Sequence, residues 1–169
     1  MWTVDEILKA TGGTSTLAGS HTLPGVVIDS RNVPPGALFL AFKGERLDGH
    51  DFVKGALEAG ASAALVSHIP EGLPQDAPLI QVEDTHKALV DLAKAARKRA
   101  QGQIIAVTGS VGKTSTKEAI RTVLASSGSV YATRGNLNNH IGLPLSLSNL
   151  AANTGFGVFE LGMNHAGEI

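Results

Sequence analysis

The chain has 169 residues, enough for one ordinary domain or two small ones, because single hydrophobic cores usually occupy about 100 to 150 residues. Its 14 Lys and Arg residues nearly balance 15 Asp and Glu residues, so no overall basic field favours binding to a nucleic acid. The sequence has no cysteine, which excludes disulfides and thiolate metal sites, and no stretch approaches the roughly 20 apolar residues that a membrane-spanning helix requires.

Short strands alternate with helices along the first 100 residues. Met1 leads directly into a helix that begins at a capping box of Thr3 and Glu6 and ends at Gly12. Because this beginning is not a signal peptide, we expect a cytoplasmic protein. Strands are predicted at 26–28, 38–42, 63–66 and 79–82, with a helix capped by Asp51 between the second and the third of them.

A long helix is predicted to begin at Asp84 and to end before Gly102. The cations at 97–99 are interpreted as charges favoured at a helix C-terminus, in preference to a phosphate or nucleic-acid patch. The next segment, 104–107, is entirely apolar, which predicts a strand buried on both faces of a parallel sheet. The residue pattern of the sequence therefore changes at this point, and we divide the chain into domains of residues 1–100 and 101–169.

The second domain also alternates strands and helices. A glycine-rich loop is followed by a helix over about 113–127, a strand near Val130, a polar loop, a short helix after Pro144 and a strand at 158–161. This alternation predicts a parallel sheet with right-handed crossovers. The fold class is therefore α/β.

The glycine-rich loop joins a predicted strand to a predicted helix, where backbone N–H groups and the helix dipole converge on an anion. Its residues, which we expect to bind ATP, are Thr108, Gly109, Ser110, Val111, Gly112, Lys113, Thr114 and Ser115. Lys113 supplies a point charge for the phosphate oxygens, and the Thr114 hydroxyl is a ligand for Mg²⁺. The general P-loop has glycine where Val107 stands here. A glycine-rich turn with a lysine at a helix start is therefore the alternative interpretation.

The shortened loop and several other segments resemble the Mur ligase family, in particular its MurF type. These segments are 29–31, 35–36, 38–41, 43–52, 135–144 and 160–169. The resemblance covers nearly the whole chain. It implies a small mixed α/β domain that binds a UDP-linked substrate, followed by the first part of a parallel-sheet P-loop ATPase domain. It also implies that the rest of a longer ligase is missing, so we expect the chain alone to be inactive.

The same resemblance implies an activity. Such enzymes use ATP and Mg²⁺ to join D-alanyl-D-alanine to UDP-N-acetylmuramoyl-tripeptide through an acyl phosphate, in peptidoglycan precursor synthesis. The implied partners are these two substrates, and we expect a monomer that neither binds nucleic acid nor inserts into a membrane.

The implied site residues lie in both predicted domains. The catalytic candidates are Lys113, Glu160, Asn138, Asn139 and His165, with Thr114 and Glu160 as metal ligands and His140 as a further residue near the metal. The candidates for the UDP-linked substrate are Ser30, Arg31, Lys43, Gly44, Glu45 and Arg46. From the residues alone, an acidic residue at a strand end such as Glu160 is more often a loop or cap residue, and the asparagines are equally a turn that satisfies its own backbone.

Two other functions remain open at this point. A different P-loop enzyme, such as a small-molecule kinase, would need an acidic Mg²⁺ ligand elsewhere and would not explain Arg31 and the segment 44–52. The other is a non-catalytic module that binds a UDP-sugar and carries a vestigial ATPase half, which predicts no binding of ATP.

Overall fold

The computed structural model describes residues 1–44, 47–135 and 137–162. It separates into two compact units, Met1–Leu92 and Ala93–Ile169. The division falls inside the helix Thr85–Arg99, so the domain boundary expected after residue 100 stays a prediction. No helix in the described part of the chain is both long and apolar enough to cross a membrane.

The first unit is built on a five-stranded sheet. Its elements are β1 (Trp2–Thr3), α1 (Val4–Thr11), β2 (Thr14–Ser15), β3 (Thr22–Leu23), β4 (Val26–Val27), β5 (Leu38–Leu40), a 3₁₀ turn (Gly49–Phe52), α2 (Val53–Glu58), β6 (Ala63–Val66), β7 (Leu79–Gln81) and α3 (Thr85–Arg99). The strand order is β2-β7-β6-β5-β4, in which β4 to β7 are parallel and β2 is antiparallel. The mixed α/β fold expected for this half is confirmed.

Helix α1 forms for the local reasons that the sequence indicates. The Thr3 N–H donates to Glu6 Oε2 at 2.8 Å, and the Glu6 N–H donates to Thr3 Oγ1 at 3.2 Å, which completes the capping box. Gly12 ends the helix in the left-handed conformation, with φ 70°. Both predicted ends are therefore confirmed.

The helix expected to be capped by Asp51 begins differently. Asp48 accepts the His50 N–H and starts the 3₁₀ turn, after which α2 begins at Val53. Asp51 lies within that turn. The prediction of its capping role was wrong because the chain already bends at Asp48, three residues before Asp51.

The core of the first unit lies around the two central strands. Every residue of β5 and β6 is buried, as expected for parallel strands covered on both faces. Helix α2 contributes Val53 and Ala56 to a buried cluster that also contains Phe39, Ala41, Ala61, Ala64 and Val66.

The second unit contains a three-stranded parallel sheet. Its elements are β8 (Gln103–Val107), α4 (Lys113–Leu124), β9 (Val130–Ala132), α5 (Gly142–Ser148) and β10 (Phe156–Glu160). The strand order is β8-β10-β9, so β10 lies in the middle and pairs Glu160 with Val107 and Val158 with Ala132. The predicted parallel sheet is confirmed.

Two local predictions for this unit were wrong. Strand β8 is not buried on both faces: Ala106 is exposed and Ile104 is half-buried, because β8 forms an edge of the sheet within the described residues. Helix α5 begins at Gly142, before Pro144. Proline is tolerated there because N–H groups in the first turn of a helix have no partner within it.

Candidate functional site

The phosphate loop connects the end of β8 to the start of α4, and its backbone requires glycine at two positions. Gly109 has φ 150° and Gly112 has φ 79°, conformations that other residues rarely adopt. Gly112 is the N-cap of α4, and within the described residues no side chain caps this helix. The first N–H groups of α4 are therefore available to an anion.

The Lys113 side chain folds back over this loop. Its ammonium donates to the Gly109 carbonyl at 2.7 Å. Because the ammonium stands at the end of a flexible four-carbon side chain, it can exchange the carbonyl for a phosphate oxygen.

Glu160, at the end of β10, is held by two side chains from separate segments. Its Oε2 accepts from Thr114 Oγ1 at 2.9 Å, and its Oε1 accepts from Asn138 Nδ2 at 2.8 Å. Glu160 is only 3% exposed. The start of α4, the asparagine loop and the strand end therefore meet at one carboxylate.

The donor set of this cluster fits Mg²⁺. Thr114 offers a hydroxyl oxygen and Glu160 a carboxylate, and Mg²⁺ in proteins is commonly held by one or two carboxylates together with substrate phosphates. The phosphate loop carries Thr114 directly after Lys113, which places the hydroxyl beside the proposed phosphate position. Thr114 and Glu160, which the sequence suggested as metal ligands, are thus brought into contact.

The two central asparagines of the loop have different contacts. Asn138 reaches Glu160, whereas Asn139 Oδ1 accepts the N–H groups of Ile141 at 3.2 Å and Gly142 at 2.7 Å. Asn139 therefore satisfies the backbone at the start of α5, as a turn residue does. His140 is exposed, and His165 lies outside the described residues.

In the first unit, Arg31 grips Asp29 with two hydrogen bonds. Nε donates to Oδ1 and Nη2 donates to Oδ2, both at 2.8 Å. The side-chain hydrogen bonds from Arg31, followed by its backbone N–H, lower the pKa of Asp29 to about 2. Both side chains are exposed, with Ser30 half-buried between them. The Arg31 guanidinium is thus already oriented by an anion.

Two further substrate candidates of the first unit, Lys43 and Gly44, pair through their backbones with residues 47–48. Lys43 pairs with Asp48 as an isolated antiparallel bridge, and the Gly44 N–H donates to the Leu47 carbonyl at 2.9 Å. Glu45 and Arg46 lie outside the described residues.

Three further residues of the first unit, Asp48, His50 and His68, place their ligand atoms within 4.8 Å of one another. The Ser67 N–H donates to His50 Nε2 at 3.0 Å, so the proton of this imidazole lies on Nδ1, which faces Asp48 Oδ1 at 2.6 Å. Both ring nitrogens are therefore engaged, and a metal would have to displace the Ser67 hydrogen bond. We interpret His50 as a structural residue.

Two buried polar residues that connect to the backbone of Glu160, Thr133 directly and Lys117 through Thr133, were missed by the sequence analysis. Lys117 on α4 and Thr133 after β9 are each 1% exposed. A signal for Lys117 was present: it lies three and seven residues before Ile120 and Leu124, on the apolar stripe of its helix. Charged residues are usually counted as solvent-facing, which is why this position was overlooked.

Comparisons with known proteins cover both units. The family profile described as Mur ligase middle domain matches residues 107–168, and the profile described as Mur ligase family, catalytic domain, matches residues 22–97. The UDP-N-acetylmuramoyl-tripeptide–D-alanyl-D-alanine ligase of Escherichia coli (strain K12) is 45% identical over 148 residues, which are 88% of this chain and 32% of that protein. The chain therefore spans about a third of the length of the curated relatives it matches.

Two solved structures are also similar. MurF from Acinetobacter baumannii has a TM-score of 0.83 at 38% identity, over 99% of this chain and 37% of that one. MurF ligase from Thermotoga maritima in complex with ADP has a TM-score of 0.63 at 38% identity, over 80% of this chain and 31% of that one. These similarities agree with the α/β fold and with the architecture of both units.

Proposed function

Since this chain belongs to the Mur ligase family, we propose that it forms part of an ATP-dependent ligase that joins D-alanyl-D-alanine to UDP-N-acetylmuramoyl-tripeptide. The observation that carries the proposal is the cluster of Thr114, Asn138 and Glu160 beside the phosphate loop. Together with the phosphate loop and Lys113, this cluster supplies what a phosphoryl-transfer site needs: an anion-binding helix start, a cation on a flexible side chain and oxygen ligands for a metal.

The residues of the second unit would act on the phosphates of ATP. Lys113 would leave the Gly109 carbonyl to bind the transferring phosphoryl group, while the loop N–H groups bind the neighbouring phosphates. Thr114 and Glu160 would hold Mg²⁺, which supplies charge neutralisation when bound. Asn138 would orient the Glu160 carboxylate, and Asn139 would fix the loop through the start of α5.

The proposed reaction proceeds in two steps. A carboxylate oxygen of the tripeptide attacks the γ-phosphorus, the bond from that phosphorus to ADP breaks, and an acyl phosphate forms. The amine of D-alanyl-D-alanine then attacks the acyl carbon, phosphate leaves with the electrons of the broken C–O bond, and the amine loses a proton. His165 is kept as a catalytic candidate on the resemblance alone.

The first unit would bind the UDP-linked substrate. Arg31 presents a planar fork that already binds one carboxylate with two hydrogen bonds, the geometry with which arginine also binds phosphates. Ser30, Lys43 and Gly44, with Glu45 and Arg46, complete the proposed contacts. We further propose that the enzyme works in the cytoplasm as a monomer, without nucleic-acid or membrane partners.

Titration of the two substrates separately against the chain tests this proposal. We expect ATP with Mg²⁺ and UDP-N-acetylmuramoyl-tripeptide each to bind, and Lys113→Ala to weaken only ATP. The matched control is Lys98→Ala, which removes the same charge at an exposed site. ATP binding without any binding of the UDP-linked substrate would favour a small-molecule kinase, and the reverse would favour a non-catalytic UDP-sugar module.

A further inference from the structure

Lys117 is a buried cation that the proposed reaction does not use. It is 1% exposed, and its ammonium donates to the Thr133 carbonyl at 2.7 Å. The ammonium also forms an ion pair with Glu118 Oε1 at 3.2 Å, and the Glu118 side chain is 47% exposed. Removing an ammonium from water is unfavourable unless its partners compensate, so a lysine at this position has a specific task.

Thr133 connects Lys117 to the strand that carries Glu160. The ladder between β9 and β10 ends at the pair Ala132 and Val158, and Thr133 continues it with an N–H bond to the Val158 carbonyl at 3.0 Å. The Thr133 hydroxyl then accepts the Glu160 N–H at 3.2 Å. One residue therefore receives the lysine on its carbonyl and holds the backbone of Glu160 with its side chain.

We propose that Lys117 is a positioning residue for the carboxylate of Glu160. From α4 it fixes the Thr133 carbonyl, so that the Thr133 hydroxyl holds the Glu160 amide and the carboxylate stays between Thr114 and Asn138. The consequence for function, tighter Mg²⁺-dependent binding of ATP, rests on the function proposed above.

A lysine suits this task better than an apolar residue of similar length. Thr133 is 1% exposed, and its carbonyl would lose the Lys117 donor if an apolar residue filled the space. A buried carbonyl without a donor is unfavourable, and the segment would relieve this by shifting. Such a shift would move the hydroxyl away from the Glu160 amide and loosen the carboxylate.

The first test measures the unliganded chain. In Lys117→Met, hydrogen exchange of the Glu160 amide should become about tenfold faster, the effect of losing one hydrogen bond. The NMR signals of the Asn138 side-chain amide should shift as well. Lys117→Arg should restore both readouts at least in part. Glu118→Gln is the control, because it removes the charged partner of Lys117 but leaves the contact with Thr133.

The second test measures ATP affinity with and without Mg²⁺. Lys117→Met should leave affinity without Mg²⁺ unchanged and reduce the gain from Mg²⁺ about tenfold. Thr133→Val should have the same effect, whereas Thr133→Ser, which keeps the hydroxyl, should not. The double variant Lys117→Met with Thr133→Val should lose no more of the gain from Mg²⁺ than either single variant, because both residues act through one connection.

Several results would overturn the inference. An unchanged hydrogen-exchange rate of the Glu160 amide in Lys117→Met would exclude the positioning role. Faster exchange throughout the unit in both Lys117→Met and Glu118→Gln would exclude it as well. If the unaltered chain binds ATP without any effect of Mg²⁺, the proposed metal site fails, while the exchange measurement still decides the role of Lys117.

Discussion

Lys113 and Lys117 are one helical turn apart on α4, yet their ammonium groups have different surroundings. Lys113 lies over the loop and contacts a carbonyl that a phosphate can replace, whereas Lys117 is buried against Thr133. Sequence alone identified Lys113, because its spacing from the glycines has a known phosphate-binding function. It missed Lys117, because the partner of that residue is 16 positions away and only the folded sheet brings it close.

If the proposed function is correct, Lys113→Ala in the proposed full-length ligase should reduce kcat far more than it raises KM for ATP. The ammonium interacts most strongly with the phosphoryl group during transfer, when charge accumulates there. Loss of one such contact is worth about 3 to 4 kcal/mol, or a few hundredfold in rate. Steady-state kinetics with each substrate varied in turn measures this, and a near-normal kcat would remove Lys113 from the mechanism.

The ion pair of Asp29 and Arg31 should make the stability of the folded chain depend on pH. Arg31 lowers the pKa of Asp29 from 3.8 to about 2. A lowered carboxyl pKa means that the pair contributes stability above pH 3.8 and loses it as the pH falls through about 2. In Arg31→Ala the titration of Asp29, followed by NMR of its carboxyl carbon, should move up towards 3.8. A midpoint still near 2 would mean that the backbone hydrogen bond alone sustains the shift.

At the scale of helices and strands, elements with local causes were predictable, whereas the burial of β8 was not. The capping box and Gly12 define α1 within a few residues of sequence. The apolar segment of β8 was correctly predicted as a strand, but its exposure depends on which strands lie beside it. Likewise, the contact between Thr114 and Glu160 follows from the pairing of β8 with β10, which no single segment reveals.

Gly12 and Gly55 give a matched pair of glycine substitutions. A Cβ at either position meets nothing within 4 Å, but Gly12 has φ 70° while Gly55 lies inside α2. Gly12→Ala should therefore destabilise the chain by about 1 kcal/mol, through backbone strain alone. Gly55→Ala should stabilise it by about 0.5 to 1 kcal/mol. Urea unfolding measures both values, and changes of the same sign would contradict this account.

For the whole molecule, the sequence predicted the α/β class and two domains divided after residue 100. The segment 101–103, directly after that division, is held by backbone contacts within the second unit. The Gln101 N–H donates to the Ala152 carbonyl at 3.0 Å, and the Gln103 N–H donates to the Gly155 carbonyl at 3.0 Å. A Cβ at Gly102 would collide with the backbone at 154–155. A protease that needs an extended, accessible segment should therefore cut first in the proline-rich loop at 69–78, and not at 101–103.

The proposed boundary after residue 100 is better tested by truncation than by proteolysis. A chain of residues 1–100 retains all of α3, including the buried Ala93 and Ala96 and the cations of its last turn, which favour the helix C-terminus. A chain of residues 1–92 ends inside α3 and keeps only its first half, too short to be stable without packing. If the boundary is correct, the longer chain should unfold cooperatively, with a free energy of unfolding at least about 2 kcal/mol above that of the shorter chain. The difference is expected because the longer chain keeps the two buried alanines and the second half of α3. Equal stability of the two chains in urea would instead place the boundary at Leu92, where the two compact units divide.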